Sequence, residues 1–421
     1  MTGRPDTTTP VVLLRLFGHC GVGVARSLGR WGVPVYAVDN EPNSPAAHSR
    51  HLRRLFEWDI ERSEPEATLE FLADLAEQLG GPPILLPTGD IASLFVEDNA
   101  EQLHAHFRFP AQPPGLARRV YSKRGLYELC AEHGLPTAGT EFPQSAEDVA
   151  AFARRTRFPV MIKGIDPRRL QAHTGRRLAL ATDAAELDRL YRQLEDPESP
   201  NLMLQEFIPG TDRDSWMMDA YFDTTGECAF GVTARKIRQY PAEGGVTSLG
   251  MCEASPALYA AVCRFASTLG YRGILDTGYR YDSRDGQLKL LDPNPRIGSS
   301  FRLFVSPDGM DVARALYLDM TGQPVPATAH PDGRRWFAEH CELRRAARML
   351  SSPRRPSRLP GWARSFAGVR ETAWFARDDM QPFLRMCGSL VGAALGHRDR
   401  TVHAPLRTPL ESPALKGTSQ T

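Results

Sequence analysis

The sequence has few cysteines, no long apolar run and no excess of charge of either sign. Its seven cysteines are scattered and include no Cys-x-x-Cys pair, so we expect a reduced cytoplasm rather than a disulfide scaffold or a zinc ribbon. A net charge of +1 creates no strong electrostatic field that would attract nucleic acid or an anionic membrane. The initial MTGRPDTTTP has no apolar core of the signal-peptide kind, and the most apolar late segment, 386–395, is too short to span a bilayer. We expect a cytoplasmic protein with neither nucleic acid nor membrane as a partner.

Lysine is also scarce, with five residues against 46 arginines among the 51 basic side chains. This bias is typical of a GC-rich genome rather than of a function. Where arginine is so strongly favoured, each remaining lysine raises the question of whether a compact point charge is needed there. The five are Lys123, Lys163, Lys236, Lys289 and Lys416.

The first part of the chain has the pattern of a parallel sheet. A chain of 421 residues with 42% apolar and 24% charged side chains is typical of a globular protein with two or three domains. Apolar runs at 11–18, 33–40 and 82–90 alternate with a glycine turn and with a helical segment at 66–79. This alternation predicts βαβ units. The proline-rich FPAQPPG, 109–115, predicts the first domain boundary.

The second part has the pattern of an α+β domain with antiparallel strands. We expect helices at 123–132 and 183–194, and strands at 158–165, 201–210, 215–222, 227–235 and 271–281, the last paired with 287–292. From about residue 330 the chain is rich in arginine and has helical pieces.

The segment LLDPNPRIGSS, 290–300, places an acid, an amide and a base between two prolines. Pro293 and Pro295 donate no backbone hydrogen bond, so we expect strand pairing to fail there. Asp292, Asn294 and Arg296 then lie at a strand end, before a turn of small residues. A fold gains little from this arrangement, whereas a functional site could use it.

The preceding strand carries a second acid, Asp276, and the two strands predict a hairpin. A three-residue loop with Gly286 in the left-handed position would place Asp276 opposite Asn294. A five-residue loop, 282–286, would instead place it opposite Asp292. Either register puts the three side chains on one face, because side chains alternate with period two. A two-residue Asp-Gly turn would break this arrangement.

Two carboxylates that face each other across a sheet repel, and a divalent cation removes that repulsion. Two acids and an amide oxygen suit Mg²⁺. The alternative is that one acid pairs with Arg280 or Arg302 while the other is solvated. Spacing alone leaves both interpretations open.

The order of these features resembles the ATP-grasp superfamily, and more narrowly its D-aspartate ligase-like carboxylate–amine ligases, over roughly residues 10–330. LLDPNPRIGSS is similar to the family's late E-I-N-P-R-x-G-S segment. The resemblance implies that Asp276, Asp292 and Asn294 bind Mg²⁺ or Mn²⁺ and that Arg296 lies near the transferred phosphate. Asp292 stands where glutamate is usual, so its side chain is one methylene shorter.

The resemblance also implies a set of ATP-binding residues. Lys123, in YSKRGLYELC, and Lys163, in FPVMIKGI, resemble the family's two nucleotide lysines, and Lys163 also counts as catalytic together with Arg296. For either lysine alone, a surface role is at least as expected. LMLQEFIPGTDRD resembles the adenine hinge, and the loop 171–177 is expected to cover the triphosphate. The implied contacts are Gln205, Glu206, Phe207 and Ile208 for the base, Asp212 for the ribose, and His173 and Arg176 in that loop.

The segment ARKIRQYPAEGGVTSLG, 234–250, resembles the part that shapes the acceptor side in these ligases. Lys236 or Arg238 would hold an anionic substrate, and Gly244 and Gly245 would let backbone approach it. Solvated charges on a loop are the equal alternative. Asp90 ends a strand of the N-terminal sheet, where α/β ligand crevices lie, and is a further substrate candidate.

The resemblance implies a fold class of α/β plus α+β. It divides the chain into a Rossmann-like parallel-sheet domain (1–115), a small ATP-grasp lobe or lid (116–200), a large lobe with the metal site (201–328), a mostly helical C-terminal region (329–402) and a disordered tail (403–421). It implies an ATP-dependent ligase that activates a carboxylate as an acyl phosphate and joins it to an amine. Its partners are small molecules, with a homodimer as one option, and the sequence names neither substrate.

Two other functions stay open at this point. Gly18, Gly21 and Gly23 follow a strand and open a helix, and Asp39 ends the next strand, which is the arrangement of an NAD-dependent oxidoreductase. The spacing is G-x-x-G-x-G, however, and not the dinucleotide G-x-G-x-x-G. The second alternative is an ATP-binding module without catalysis, which only the shortened acid at position 292 favours.

Overall fold

The first part of the chain forms a four-stranded parallel sheet in this computed structural model, which describes residues 5–16, 18–176, 178–241, 245–350 and 359–394. The strand order is β3-β2-β1-β4. β1 is fully buried, as expected where helices cover both faces of a parallel sheet. The elements are β1 (Val11–Leu14), α1 (Gly18–Gly29), β2 (Val35–Asp39), β3 (Leu52–Glu57), α2 (Pro65–Gln78), β4 (Ile84–Pro87), α3 (Asp90–Asp98) and α4 (Ala100–Leu103).

The next segment forms a smaller antiparallel sheet, in the order β5-β8-β6-β7, with its own apolar core. Val160 and Ile162 of its central strand pack against Phe152 and Leu187 from the helices. The elements are α5 (Leu116–Tyr121), α6 (Lys123–Glu132), β5 (Thr140–Glu141), α7 (Ala146–Arg155), β6 (Val160–Gly164), α8 (Pro167–Thr174), β7 (Leu178–Ala181), α9 (Ala184–Leu194) and β8 (Leu202–Glu206).

The prediction of a loop at 171–177 is wrong for the first four of these residues, because they belong to helix α8. A proline in the first helical turn and the helix formers that follow it explain the difference. Arg177 lies outside the described residues.

The largest sheet has seven strands in the order β13-β12-β9-β10-β11-β14-β15. Its first five strands pair antiparallel, as the sequence predicts for this half. The elements up to the C-terminal region are β9 (Ser215–Phe222), β10 (Cys228–Tyr240), β11 (Val246–Cys252), α10 (Pro256–Leu269), β12 (Gly273–Asp282), β13 (Gln287–Asn294) and α11 (Val312–Met320).

The C-terminal region is helical only in part, because it also adds two strands to the large sheet. β14 pairs with β11, and β15 pairs parallel with β14. Strands of three and four residues are too short to display a period-two pattern, so neither strand is predictable from the residue pattern. The elements are β14 (Arg335–Phe337), α12 (Glu339–Leu350), α13 (Leu359–Arg364), β15 (Val369–Thr372) and α14 (Gln381–Ala394). The tail predicted at 403–421 lies outside the described residues.

The N-terminal sheet and the large sheet share one apolar core. Leu13 and Val35 from the first sheet belong to the same buried cluster as Phe301, Ala313 and Trp336. This packing holds the N-terminus of α1 against the segment that follows β13. No helix in the described ranges is both long and apolar enough to cross a membrane.

Candidate active site

The hairpin β12–β13 brings the predicted acids and amide together. Asp276 lies opposite Asn294, which is the first of the two registers considered. The loop has four residues rather than three, since Asp282 pairs with Gln287, and a β-bulge at Leu291 restores the register. Without that extra residue, Asp292 and Asn294 would lie on the opposite face of the sheet from Asp276.

The pairing does not fail at Pro293, contrary to expectation. Thr277 pairs with Pro293, and β13 continues to Asn294. Because β13 is an edge strand, a proline there costs no hydrogen bond to a second neighbour.

The three proposed metal ligands form a compact group at the open end of this hairpin. Asn294 Nδ2 lies 3.3 Å from Asp276 Oδ2 and 3.4 Å from Asp292 Oδ2. Burial raises the pKa of Asp276 to about 6, and the charge of Asp292 adds to this effect. The described chain contains no cluster of three His, Cys, Asp or Glu side chains arranged for a metal. Two carboxylates and an amide nevertheless fit Mg²⁺, which also takes waters and phosphate oxygens.

Gly298 allows the turn after this hairpin to approach Asp276 closely. A Cβ at Gly298 would lie 2.5 Å from Asp276 Cγ, so any side chain there would displace the carboxylate. The close approach of Asp276 therefore explains why the turn in LLDPNPRIGSS has a glycine at position 298.

Arg296 joins the hairpin to the N-terminal domain. Its Nε donates to Asp90 Oδ1, and the two side chains are 8% and 16% exposed. Asp90 is the first residue of α3, the helix that follows β4 after a two-residue turn. The structure thus brings the predicted Asp90 next to the predicted Arg296.

The two predicted nucleotide lysines lie beside each other in the small lobe. Lys163 Nζ donates to Gln205 Oε1 at 2.8 Å, and Lys123 Nζ donates to the Gly164 carbonyl at 2.8 Å. Burial lowers the pKa of Lys163 to about 8, and the positive charge of Lys123 acts in the same direction. The charge of Asp292 raises the pKa of both lysines. Lys123 and Lys163 therefore lie close enough to the hairpin acid Asp292 for its charge to act on both amines.

Backbone groups in the predicted adenine hinge are available for a base. The Phe207 amide donates to the Pro159 carbonyl, and the Ile208 carbonyl accepts from Arg280 Nε. The Phe207 carbonyl and the Ile208 amide have no hydrogen-bond partner among the described residues. One acceptor and one donor thus remain side by side on the hinge.

The side chains of that hinge have other partners. Gln205 Nε2 donates to the hydroxyls of Tyr127 and Thr140 as well as lying next to Lys163. Glu206 forms an ion pair with Arg284 at 3.0 Å and lies 4.0 Å from Lys289 Nζ. The Glu206 carboxylate is therefore part of a charged cluster with the hairpin loop.

On the acceptor side, the structure places Lys236 rather than Arg238 near the acids. Burial lowers the pKa of Lys236, whereas the carboxylates of Asp292, Asp276 and Asp212 raise it. Arg238 instead makes two 3.1 Å bonds to Glu342 in α12. The Arg238 side chain is therefore held by Glu342 and does not support the substrate role predicted for it.

The remaining candidates are placed less centrally. A Cβ at Gly245 would lie 2.2 Å from the Pro241 carbonyl oxygen, so a tight turn explains this glycine. Gly244 lies outside the described residues. His173 and Arg176 are exposed at the end of α8 and beyond it. Asp212 begins a short 3₁₀ turn and is half-buried.

Asp219 is a site residue that sequence reasoning missed. It lies on β9 directly opposite Asp276, is fully buried, and neither carboxylate oxygen has a hydrogen-bond partner in the described part of the chain. Burial, and then the charge of Asp276, raises its pKa well above the usual range. A single acid inside the apolar strand SWMMDAYF was the available signal.

The glycine turn at the start of α1 serves packing instead of a dinucleotide. A Cβ at Gly23 would lie 2.7 Å from Phe301 Cε1, so the glycine permits contact with the large lobe. Asp39 accepts from the backbone amides of Leu16 and Glu41 at 2.5 and 2.9 Å. Asp39, the acid that would bind a ribose in an NAD enzyme, thus stabilises the loop backbone around it through these two hydrogen bonds.

Known proteins resemble this chain in sequence and in fold. No family model matches the chain. D-aspartate ligase from Enterococcus faecium is 25% identical over 308 residues, which cover 69% of this chain and 72% of that protein.

Two solved structures have the same fold. N5-carboxyaminoimidazole synthetase from Staphylococcus aureus, complexed with ADP, gives a TM-score of 0.58 at 12% identity and covers 77% of this chain and 80% of its own. L-amino acid ligase from Bacillus licheniformis gives 0.55 at 13% identity and covers 77% and 76%. The resemblance to ATP-grasp carboxylate–amine ligases is confirmed, and neither alternative function is supported.

Proposed function

Since this chain is a homologue of D-aspartate ligase with the ATP-grasp fold, we propose that it joins a carboxylate to an amine at the expense of ATP. In the first step a carboxylate oxygen attacks the γ-phosphorus of ATP, which gives an acyl phosphate and releases ADP. In the second step the amine attacks the acyl carbon, and inorganic phosphate and a proton leave. No nucleophilic side chain is required.

The observation that carries this proposal is the convergence of three lysines on one acid. Burial lowers the pKa of Lys123, Lys163 and Lys236, and the negative charge of Asp292 opposes that shift in each of them. The three lysines come from two different sheets and from the start of α6. Positive charge from both lobes thus surrounds the acid end of the β12–β13 hairpin. A triphosphate needs this distribution of charge along its length.

We assign the nucleotide to the cleft between the small antiparallel sheet and this hairpin. Lys123 and Lys163 would bind its phosphates, since both are half-buried cations whose amines donate to uncharged oxygens. The Ile208 amide and the Phe207 carbonyl offer the donor and acceptor that an adenine edge requires. Asp212, near Lys236, is the candidate for the ribose.

Asp276, Asp292 and Asn294 would hold Mg²⁺ or Mn²⁺. The half-buried Asp276 next to Asp292 supports this assignment, because a cation offsets the cost of two neighbouring carboxylates. When bound, the ion supplies charge neutralisation and in-line orientation of the phosphates.

Arg296 and Lys236 would act on the reacting groups. Arg296 is fixed by Asp90 on one side and lies 3.4 Å from Asn294 Oδ1 on the other, so it is held in place before substrate arrives. It would hold the acyl carboxylate and then the developing acyl phosphate. Lys236, whose amine is largely desolvated, would hold an anionic group of the second substrate.

Amino acids are the substrate class that we favour, because the relatives include D-aspartate ligase and L-amino acid ligase. The small sheet has its own core and includes β8 (Leu202–Glu206), so the unit that we expect to move as a lid ends after Glu206 and not at residue 200. Closure of this lid over the acyl phosphate would exclude water, which otherwise hydrolyses it.

The test is ADP release from ATP with Mg²⁺ against amino acids and other carboxylates, offered singly and in acid–amine pairs. We expect release that depends on one pair and is lost in Asp292→Ala. Asp285→Asn, at the turn of the same hairpin, is the matched control and should retain turnover. ATP binding without turnover on any pair would argue for a non-catalytic module, and absence of ATP binding would refute the proposal.

A further inference from the structure

Two free cysteines lie next to each other in the large lobe, one on a strand and one on a helix. Cys228 is the first residue of β10, Cys263 lies in the middle of α10, and both side chains are partly exposed. The two thiols are joined by a hydrogen bond, through which each changes the pKa of the other. The two sulfur atoms are therefore neighbours, although they are far apart in the chain.

The packing of α10 on β10 accounts for this proximity. Tyr259 lies one helical turn before Cys263, so both side chains are on the same face of α10. A Cβ at Gly231 would lie 3.0 Å from Tyr259 Cε2 and 3.1 Å from Cys228 Sγ, which places the tyrosine ring and the strand thiol around one point. The Tyr259 hydroxyl also hydrogen-bonds to both thiols. The helix face that carries Cys263 thus rests on the start of β10.

The two thiols are not equivalent. The hydrogen bond that the Cys228 thiol donates lowers the pKa of Cys263, and the Tyr259 hydroxyl acts in the same direction. The same hydrogen bond, together with burial, raises the pKa of Cys228. Because the thiolate is the reactive form of cysteine, Cys263 is the better nucleophile of the pair. Cys228 is placed as the second thiol beside it.

We propose that Cys228 and Cys263 form a reversible disulfide when the protein meets a peroxide. The Cys263 thiolate attacks one oxygen of hydrogen peroxide, the O–O bond breaks, and hydroxide leaves and takes up a proton as water. Cys263 is then a sulfenic acid. The Cys228 sulfur attacks the Cys263 sulfur, the S–O bond breaks, and the hydroxyl leaves with the Cys228 proton as a second water. Two thiols are oxidised and one peroxide is reduced, and a thiol reductant reverses the reaction.

This thiol pair lies on the other face of the large sheet from the proposed reaction centre. Cys228 is directly opposite Phe222 of β9, and residues directly opposite each other share a face. Phe222 and Asp219 are three positions apart on that strand, so they point to opposite faces. Cys228 and Cys263 pack against the apolar cluster that includes Phe222. The proposed disulfide is thus independent of whether the chain is a ligase.

The first experiment treats the reduced full-length protein with hydrogen peroxide and maps its peptides by mass spectrometry without a reductant. We expect a linkage between Cys228 and Cys263 that dithiothreitol removes. Cys387, a partly exposed cysteine of α14, is the matched thiol and should be oxidised about tenfold or more slowly than Cys263. The variant Cys387→Ser should form the same linkage. Absence of the linkage in the wild type, or pairing of either cysteine with a different one, would overturn the proposal.

The second experiment separates the roles of the two thiols with dimedone, which labels sulfenic acids. In Cys228→Ala the sulfenic acid at Cys263 has no second thiol beside it, so dimedone should label Cys263. In Cys263→Ala, Cys228 should stay unlabelled. Thermal unfolding of both variants verifies that they are folded, and the peptide map of the wild type does not depend on either. Equal labelling of the remaining cysteine in the two variants would overturn the assignment of Cys263 as the nucleophile.

Discussion

Asn294 Nδ2 lies 3.3 Å from Asp276 Oδ2 because the two residues are directly opposite each other on β13 and β12. The same amide is 3.4 Å from Asp292 Oδ2, so a single side chain spans both acids. A rotation of the amide that exchanges its oxygen and nitrogen would turn Oδ1 towards the two acids and give three oxygen ligands, at the cost of its 3.4 Å contact with Arg296 Nη2. This relationship is the basis of the proposed metal site.

Asp292→Asn should weaken binding of Mn²⁺ in the presence of ADP by about tenfold or more. The variant removes one of the two negative charges while it keeps the shape of the side chain. Titration followed by electron paramagnetic resonance measures the free ion directly. Asp285→Asn on the same hairpin should leave the affinity unchanged, and equal affinities in the wild type and Asp292→Asn would contradict the metal assignment.

ATP affinity should fall as the pH rises above about 8. Burial lowers the pKa of Lys163 to about 8, so the free protein loses this positive charge above that value, while bound phosphate favours the protonated form. The limiting slope is about tenfold in affinity for each pH unit. Calorimetric titration between pH 7 and 9.5 measures it.

Lys163→Arg provides the control for that pH dependence. Because arginine stays protonated over the whole range, the slope should disappear even if affinity is reduced at every pH. A slope that persists in Lys163→Arg would assign the titration to another group.

Glu206→Gln should reduce stability more than it reduces nucleotide affinity. Its carboxylate is bonded to Arg284 and lies near the largely buried Lys289, so we expect a loss of about 2 kcal/mol in the free energy of unfolding. Urea denaturation and ADP titration measure the two effects. The control Glu141→Gln breaks an exposed pair on neighbouring β5 and should cost less than about 1 kcal/mol. A large loss of ADP affinity without a loss of stability would restore the base-contact role that the sequence predicted.

Arg238→Ala should mainly reduce stability, whereas Lys236→Ala should mainly reduce turnover. Loss of Arg238 leaves Glu342, which is 2% exposed, without its ion-pair partner, and we expect a destabilisation of about 3 kcal/mol. Lys236→Ala should reduce turnover at least tenfold with a small change in stability, because Lys236 forms no ion pair with any residue that the structure describes. Thermal unfolding and ADP release, measured on both variants, distinguish them, and a stable but inactive Arg238→Ala would contradict this assignment.

The sequence predicted the elements whose patterns are long and regular. The helix at 123–132 and the strand at 215–222 have the predicted bounds, and the parallel N-terminal sheet follows from its apolar runs. Long segments with a clear period carry enough apolar contacts to decide their own structure. The resemblance adds the expectation that Lys163, Asp276 and Arg296 belong to one site, which no local pattern predicts.

The remaining features depend on contacts that no local pattern records. The hairpin has a loop of four residues where three are predicted, and a β-bulge at Leu291 that is not predicted. The two register shifts cancel, so Asp276 still lies opposite Asn294. Arg238 is bound by Glu342, more than a hundred residues away in the chain. Asp219 becomes visible as a site residue only when β9 is placed beside β12. Each of these is decided by tertiary packing and not by local propensity.

The most direct test of the proposed chemistry is the fate of oxygen in the activated carboxylate. The acid that supports ADP release would be prepared with ¹⁸O in its carboxylate, and the inorganic phosphate formed would be analysed by mass spectrometry. An acyl phosphate predicts that one ¹⁸O atom passes to phosphate in each turnover. Phosphate without label, or formation of AMP and pyrophosphate in place of ADP, would contradict the account.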